Sequence, residues 1–230
     1  MAKKEQKEET IFDASAVYTK TELFVDRNRK KLVIGFGAIA LLFAGIFGFQ
    51  YLYSKPRQEK AANDIWKLQQ YMEIDSTEWA LNGDGEVEGM EAIAEKYSGT
   101  PTGKLAHYYL GVLYRDRAEY ETALNHFKEA DFDDQAIGII AMANVGDMYV
   151  EMDNLEEASG WLEKAARKAV QSDSKEFLGP QYLLKAARVY IELGKSDKAV
   201  HLLKQVKELS LSTSAEHAEA TKWLARLSVK

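Results

Sequence analysis

The 230-residue sequence contains no cysteine and only three prolines. Without cysteine the chain has no disulfide, no thiolate metal site, no thiol nucleophile and no cysteine-linked lipid. Few prolines favour long helices, because proline interrupts helical hydrogen bonding. Lysine, glutamate, alanine and leucine are abundant, and all four are good helix formers. The composition therefore predicts an all-α protein.

The net charge of −6 is unevenly distributed along the chain. Residues 1–53 contain eight Lys or Arg and six Asp or Glu, a balance of +2, whereas residues 54–230 contain 22 and 30, a balance of −8. An acidic domain repels phosphate backbones, so nucleic acid is not an expected partner.

A run of 22 uncharged residues, 32–53, predicts one transmembrane helix. At 1.5 Å per residue it would measure roughly 33 Å, enough to cross a hydrocarbon core of about 30 Å. Four basic residues between positions 27 and 31 predict a cytoplasmic N-terminus and an exported C-terminal domain. The run is long and starts late for a signal peptide, so an uncleaved signal anchor is preferred over a cleaved signal. The mixed-charge tail, residues 1–31, is expected to be largely disordered.

Small residues recur every four positions within this run, at Ala40, Ala44 and Gly48. Such spacing lets a second membrane helix approach closely, and we interpret these residues as a candidate helix contact. The alternative is that Gly and Ala are simply common in membrane spans.

Residues 54–100 are predicted to form a linker helix and a degenerate helix pair. Apolar residues there recur at helical spacing, and the sequence Asn82-Gly83-Asp84-Gly85 predicts a break. Thr100 followed by Pro101 is typical of a helix start, with threonine as the cap and proline in the first turn.

An internal repeat occupies most of residues 101–230. Residues 105–130 align with 140–165 at an offset of 35, and 181–206 follow at a further offset of 41. The six extra residues are predicted to lengthen the turn within 172–180, and residues 214–227 to form a closing helix. Small and aromatic residues at matching places are predicted to pack within and between helix pairs: Gly111, Tyr114, Ala123, Gly146, Tyr149, Ala158, Ala187, Tyr190 and Ala199.

These positions resemble the tetratricopeptide repeat, a helix–turn–helix unit of about 34 residues. The resemblance implies an α-solenoid in which the first helix of each pair lines a groove for extended peptide or a partner helix. The alternative is that these side chains pack against the neighbouring pair. The positions in this sequence that the resemblance assigns to the groove are Leu105, Tyr108, Val112, Arg115, Ile140, Asp147, Val150, Leu184, Arg188 and Ile191.

The sequence has no residue pattern typical of a metal site or of a catalytic site. The four histidines are isolated, with neither a pair at i, i+4 nor a cysteine nearby, which disfavours a metal site. No phosphate-binding loop, nucleophile elbow or dinucleotide fingerprint occurs. We therefore expect neither cofactor nor metal, and a protein that is not an enzyme.

The layout of short basic-flanked tail, single anchor and external repeat domain resembles the YfgM-type ancillary subunits of the bacterial SecYEG translocon. That resemblance implies an inner-membrane protein with a periplasmic domain. It also implies a membrane-anchored PpiD-type prolyl isomerase as partner, and unfolded or newly exported proteins as clients. A scaffold subunit of another envelope machine, for secretion, motility or division, is the alternative.

Overall fold

The computed structural model describes residues 14–74, 76–132 and 135–228. Contacts divide the chain between Arg57 and Gln58 into two units. Within the described ranges the chain forms helices joined by turns and has no strand. The predicted all-α class is confirmed.

The first unit contains α1 (Ala14–Phe49) and a π-helical turn (Gln50–Ser54). Between Leu23 and Phe49 most of the large apolar side chains of α1 are exposed, as a lipid-facing helix requires. By length and composition this stretch is able to cross a membrane, a property that an anchor shares with a signal sequence.

The expected disorder of residues 1–31 is wrong for part of that tail. Residues 14–31 are helical and continue into the apolar segment of α1. No glycine or proline occurs between Ala14 and Lys31, so nothing in the sequence ends the helix before the apolar run. Residues 1–13 lie outside the described ranges.

The second unit is a row of helices in which each helix from α3 onward packs against the next, and α2 shares a core with α3, α4 and α5. The last three pairs of helices correspond to the three sequence repeats; we call α5, α7 and α9 the first helices and α6, α8 and α10 the second helices. The bounds are α2 (Lys55–Glu73), α3 (Thr77–Asn82), α4 (Met90–Lys96), α5 (Pro101–Asp116), α6 (Tyr120–Glu129), α7 (Gln135–Glu151), α8 (Leu155–Gln171), α9 (Lys175–Glu192), α10 (Ser196–Leu209) and α11 (Ala215–Leu227).

Local sequence signals set several of these helix ends. The Thr100 side chain caps α5 by accepting a hydrogen bond from the Gly103 N–H at 3.2 Å, and Pro101 occupies the first turn. At the predicted break, the N–H of Gly83 bonds to the Trp79 carbonyl at 2.9 Å and closes α3. Its φ of 85° is one that glycine adopts without strain.

Close contact inside the first two of these helix pairs depends on a missing side chain. A Cβ added to Gly111 of α5 would lie 2.6 Å from the ring of Phe127 on α6. A Cβ on Gly146 of α7 would lie 2.6 Å from Cγ of Leu162 on α8. Both glycines and both partners are separated by 35 residues, so the two pairs use one packing arrangement.

Neighbouring pairs are joined by the recurring tyrosines. Tyr149 on α7 accepts a hydrogen bond from Nζ of Lys128 on α6 at 2.9 Å. Tyr190 on α9 donates to the Glu163 carboxylate on α8, and Tyr114 on α5 donates to Glu91 on α4. Each tyrosine therefore connects a first helix to the helix that precedes it. The buried alanines Ala123, Ala158, Ala187 and Ala199 leave space for the same packing.

The turns inside the three pairs also share one geometry. The backbone is left-handed at Ala118, Asp153 and Gly194, with φ of 60°, 57° and 70°. In each turn the next residue donates its N–H to the carbonyl of the repeat tyrosine five positions earlier, at 2.8–2.9 Å. Such a bond is typical of a helix end closed by a left-handed residue.

The longer turn predicted between the second and third repeats is wrong. α8 ends at Gln171 and α9 begins at Lys175, so the six extra residues extend helices instead. α8 has 17 residues where α6 has 10. Pro180 lies inside α9, close to its start, where it removes a single backbone hydrogen bond.

We expect Gly146→Leu to lower the free energy of unfolding by about 1–3 kcal/mol, because the new side chain overlaps Leu162. The matched control is Gly160→Leu on α8, where a Cβ meets nothing within 4 Å. Urea unfolding of a fragment covering 58–230 measures both. Equal stability of the two variants would contradict the packing arrangement.

We expect Ala118→Gly and Asp153→Gly each to raise the free energy of unfolding by about 1 kcal/mol, because glycine removes the left-handed backbone strain. Gly194→Ala should lower it by a similar amount. Thermal unfolding of the same fragment tests this, and a loss of stability on adding either glycine would count against a shared turn geometry.

Candidate functional site

Side chains of the three first helices meet on one surface of the second unit. Lys185 on α9 pairs with Asp147 on α7, with Nζ and Oδ2 2.5 Å apart and both side chains partly exposed. Burial raises the pKa of the Tyr182 hydroxyl on α9 to about 12, and nearby Asp147 and Tyr108 add to the shift. We call the surface formed by Tyr108, Asn144, Asp147, Tyr182 and Lys185 the first-helix face.

Two side chains of the first-helix face carry polar groups without a partner. Asn144 is 9% exposed and Tyr182 is 5% exposed, and neither side chain makes a hydrogen bond to a described residue. No fully buried polar side-chain atom within the described ranges lacks a partner, so these polar groups must reach solvent. Nearly buried groups that remain unbonded are available to a ligand.

Sequence reasoning missed both residues, although one left a signal. Asn144 is the only strongly polar residue in the apolar segment from Gly138 to Gly146. It lies one helical turn from Ile140 and from Asp147, on the same side of α7. Tyr182 left no comparable signal, because it is one of 12 tyrosines.

The predicted groove residues occupy different environments. Arg188 is exposed, and Leu105 packs beside the core formed by α2 to α5, whereas Ile140, Val150 and Ile191 pack beside the core of the later helices. The half-buried members of the set are Leu105, Tyr108, Val112, Arg115, Ile140, Asp147, Val150 and Ile191.

Leu184 does not line a surface, and that part of the groove prediction is wrong. It is 5% exposed and belongs to the core that contains Leu162 and Leu203. Tyr182 is equally buried in that core, but its polar hydroxyl reaches solvent, whereas Leu184 has no polar group. Adjacent residues on a helix point about 100° apart, so Lys185 reaches the first-helix face while Leu184 points into the core. The equivalent position in the second repeat, Ala143, is buried as well.

The charged residues predicted for the groove are engaged in ion pairs. Arg188 donates two hydrogen bonds to Glu219 on α11, at 2.8 and 2.6 Å, and lowers the pKa of that carboxyl group. Arg115 pairs with the adjacent Asp116 at 2.8 Å. Arg188 therefore holds the closing helix against α9.

Two of the four histidines meet, contrary to their predicted isolation. His107 on α5 and His126 on α6 have their Nδ1 atoms 2.9 Å apart. They lie 19 residues apart in sequence, on opposite helices of the first pair, so no short-range motif reveals them. Among the residues that the structure describes, no three metal-ligating side chains form a cluster.

The small residues of the apolar segment lie on the open surface of α1. Ala40 and Ala44 are exposed on α1, and a Cβ added to Gly48 would meet nothing within 4 Å. The stripe stops just before the π-helical turn at Gln50–Ser54.

Comparison with known proteins identifies the repeat. The family profile described as tetratricopeptide repeat matches residues 180–213, which contain most of α9 and all of α10. The chain contains a tetratricopeptide repeat. The crystal structure of a putative kinesin light chain from Podospora anserina, with nearly identical tetratricopeptide-like repeats, is similar in fold. The TM-score is 0.53 at 14% identity, over 87% of this chain and 97% of that one. No curated protein matches this sequence.

The second unit is therefore a tetratricopeptide-like solenoid. The predicted fold class is confirmed. Tetratricopeptide repeats indicate a protein–protein interaction module and a scaffold that is not itself catalytic. A binding partner of this chain is thus a protein.

Proposed function

We propose that this chain is a membrane-anchored, non-enzymatic subunit whose first-helix face binds an extended segment of a partner protein. The observation that carries the proposal is the pair of unbonded polar groups, the Asn144 amide and the Tyr182 hydroxyl, on two successive first helices. Their positions on repeated elements favour a ligand that runs across several repeats.

The chemistry of these groups suits a peptide backbone. An asparagine amide offers a donor and an acceptor, and a tyrosine hydroxyl offers both as well. An extended chain presents N–H and C=O groups that would satisfy them. The half-buried apolar side chains nearby, Tyr108 and Ile140, are available for apolar side chains of the bound segment.

The finer part of the proposal concerns location and partners. The exposed apolar surface of α1 and the basic residues at 27–31 support a single-pass inner-membrane anchor with a cytoplasmic N-terminus and a periplasmic second unit. Together with the repeats, that layout supports an ancillary role at the SecYEG translocon. We propose that the chain assists newly exported proteins there with a membrane-anchored PpiD-type prolyl isomerase.

A scaffold subunit of another envelope machine is the second candidate. Trp66 on α2 and Trp79 on α3 are 61% and 54% exposed within the second unit. Exposed tryptophans often anchor contacts between folded proteins, which favours docking of a folded subunit over capture of an extended chain.

We expect Tyr182→Phe and Asn144→Leu each to weaken binding of an unfolded client about 5–10-fold, the loss of one hydrogen bond. The probe is reduced, carboxymethylated α-lactalbumin, and fluorescence anisotropy gives Kd. Tyr182→Phe should leave thermal stability unchanged, because its hydroxyl has no partner in the protein.

The matched control is Tyr120→Phe on α6, which removes a half-buried hydroxyl outside the first-helix face. Its Kd should equal that of the unmodified chain. Equal losses in Tyr182→Phe and Tyr120→Phe, or no loss in either, would argue against the first-helix face as the binding surface.

We expect a photoreactive residue at Ala44 to crosslink in cells to SecY or to the prolyl isomerase, whereas one at Leu42 should not. The two positions point about 200° apart on α1, so the comparison tests one face of the helix. Crosslinks from Ala44 to subunits of a different complex would favour the scaffold role, and recovery of the chain in the soluble fraction would rule out an anchor.

A further inference from the structure

The two histidines of the first repeat face each other across the α5–α6 pair. Nδ1 of His107 and Nδ1 of His126 are 2.9 Å apart, and the rings are 5.2 Å apart with their planes 34° from parallel. A hydrogen bond at this distance needs a proton on one nitrogen and a lone pair on the other. The pair is therefore bonded when one Nδ1 carries a proton and the other does not.

The histidine pair belongs to a chain of contacts across three helices. The Tyr114 ring stacks on the His126 ring, with the centroids 5.3 Å apart and the planes within 3° of parallel. The Tyr114 hydroxyl donates to Glu91 on α4, which raises the tyrosine pKa to about 12 and keeps that hydroxyl protonated. α4, α5 and α6 thus meet at His126.

The environment holds both imidazoles neutral. Burial lowers the pKa of His107, and burial together with the neighbouring His107 lowers the pKa of His126. Two carboxylates oppose this by favouring the charged form: Glu129 on α6 acts on both rings, and Glu91 on α4 acts on His126. The net effect is still a lowered pKa for both histidines.

Acid acts on this arrangement in two steps. A first proton can be shared along the line between the two nitrogens. A second proton leaves two N–H donors facing each other at 2.9 Å with no acceptor between them, so the bond must break and the two charges repel. The helix pair loses a contact that it has near neutral pH.

We propose that His107 and His126 form an acid-sensitive latch that holds α5 against α6 near neutral pH and opens in mild acid. Opening loosens the first repeat and frees Tyr108, which follows His107 on α5 and packs its ring on Phe127 of α6 at 6.0 Å. The latch regulates the first-helix face from one end, and it goes beyond the proposed function because it needs no particular partner.

The direction of the pH effect follows from linkage. Both histidines bind protons less readily in the folded state than in the unfolded state, where the pKa is about 6.5. The unfolded state therefore takes up more protons on acidification. The stabilisation from the neutral pair is fully present above about pH 6.5 and is lost as the pH falls below it.

Hydrogen–deuterium exchange of the full chain in detergent micelles tests the latch. When the pH is lowered from 7.5 to 5.5, we expect the protection factors of α6 amides to fall about tenfold relative to those of α10, after correction for intrinsic exchange. His126→Asn keeps a side-chain N–H at this site but cannot titrate, so its relative protection should change less than about twofold. His201→Asn, an exposed histidine on α10, should behave like the unmodified chain.

Histidine Cε1–H NMR titration of the unmodified chain gives a second measurement that needs no variant. We expect His107 and His126 to titrate below the ordinary histidine pKa of about 6.5, in two separable steps. Titration of both histidines near pH 6.5, or an equal loss of α6 protection in His126→Asn and in the unmodified chain, would overturn the latch. If His126→Asn fails to fold, the titration alone decides.

Discussion

The close approach of two helices over a small residue is the contact on which the second unit depends. At Gly111 and Gly146 the space of a Cβ is occupied by Phe127 and Leu162, and a single methyl group would overlap both. An amphipathic helix pair gains stability by burying its apolar sides against each other and against the next pair. In the third pair the matching small residue is Ala187, which is also fully buried.

Much of this arrangement could be predicted because it follows from local and periodic signals in the sequence. The offsets of 35 and 41 residues relate the glycines, the tyrosines and even the left-handed turn residues. The start of α5 follows from Thr100 and Pro101, since a cap and a first-turn proline act within four residues. Such signals require no knowledge of distant contacts.

The predictions that failed concern the direction of a side chain around its helix, the lengths of helices and turns, and contacts between residues far apart in sequence. Leu184 was assigned by alignment, but a shift of one residue on a helix turns a side chain by about 100° and moves it from surface to core. The six extra residues could lengthen a turn or two helices, and the repeat pattern does not distinguish these outcomes. His107 and His126 meet only because α5 and α6 fold back on each other.

Adjacent residues on α5 connect the latch to the face. His107 points at α6, whereas Tyr108 next to it packs on Phe127, the same ring that occupies the space beside Gly111. Phe127 thus contacts α5 at both Tyr108 and Gly111. Packed interiors shift between discrete arrangements instead of deforming gradually. A charge that separates the two histidines is therefore expected to change the packing of the Phe127 ring against α5 as well. Packing and proton binding in the first repeat are therefore one coupled equilibrium, and Tyr108 is the residue through which it reaches the first-helix face.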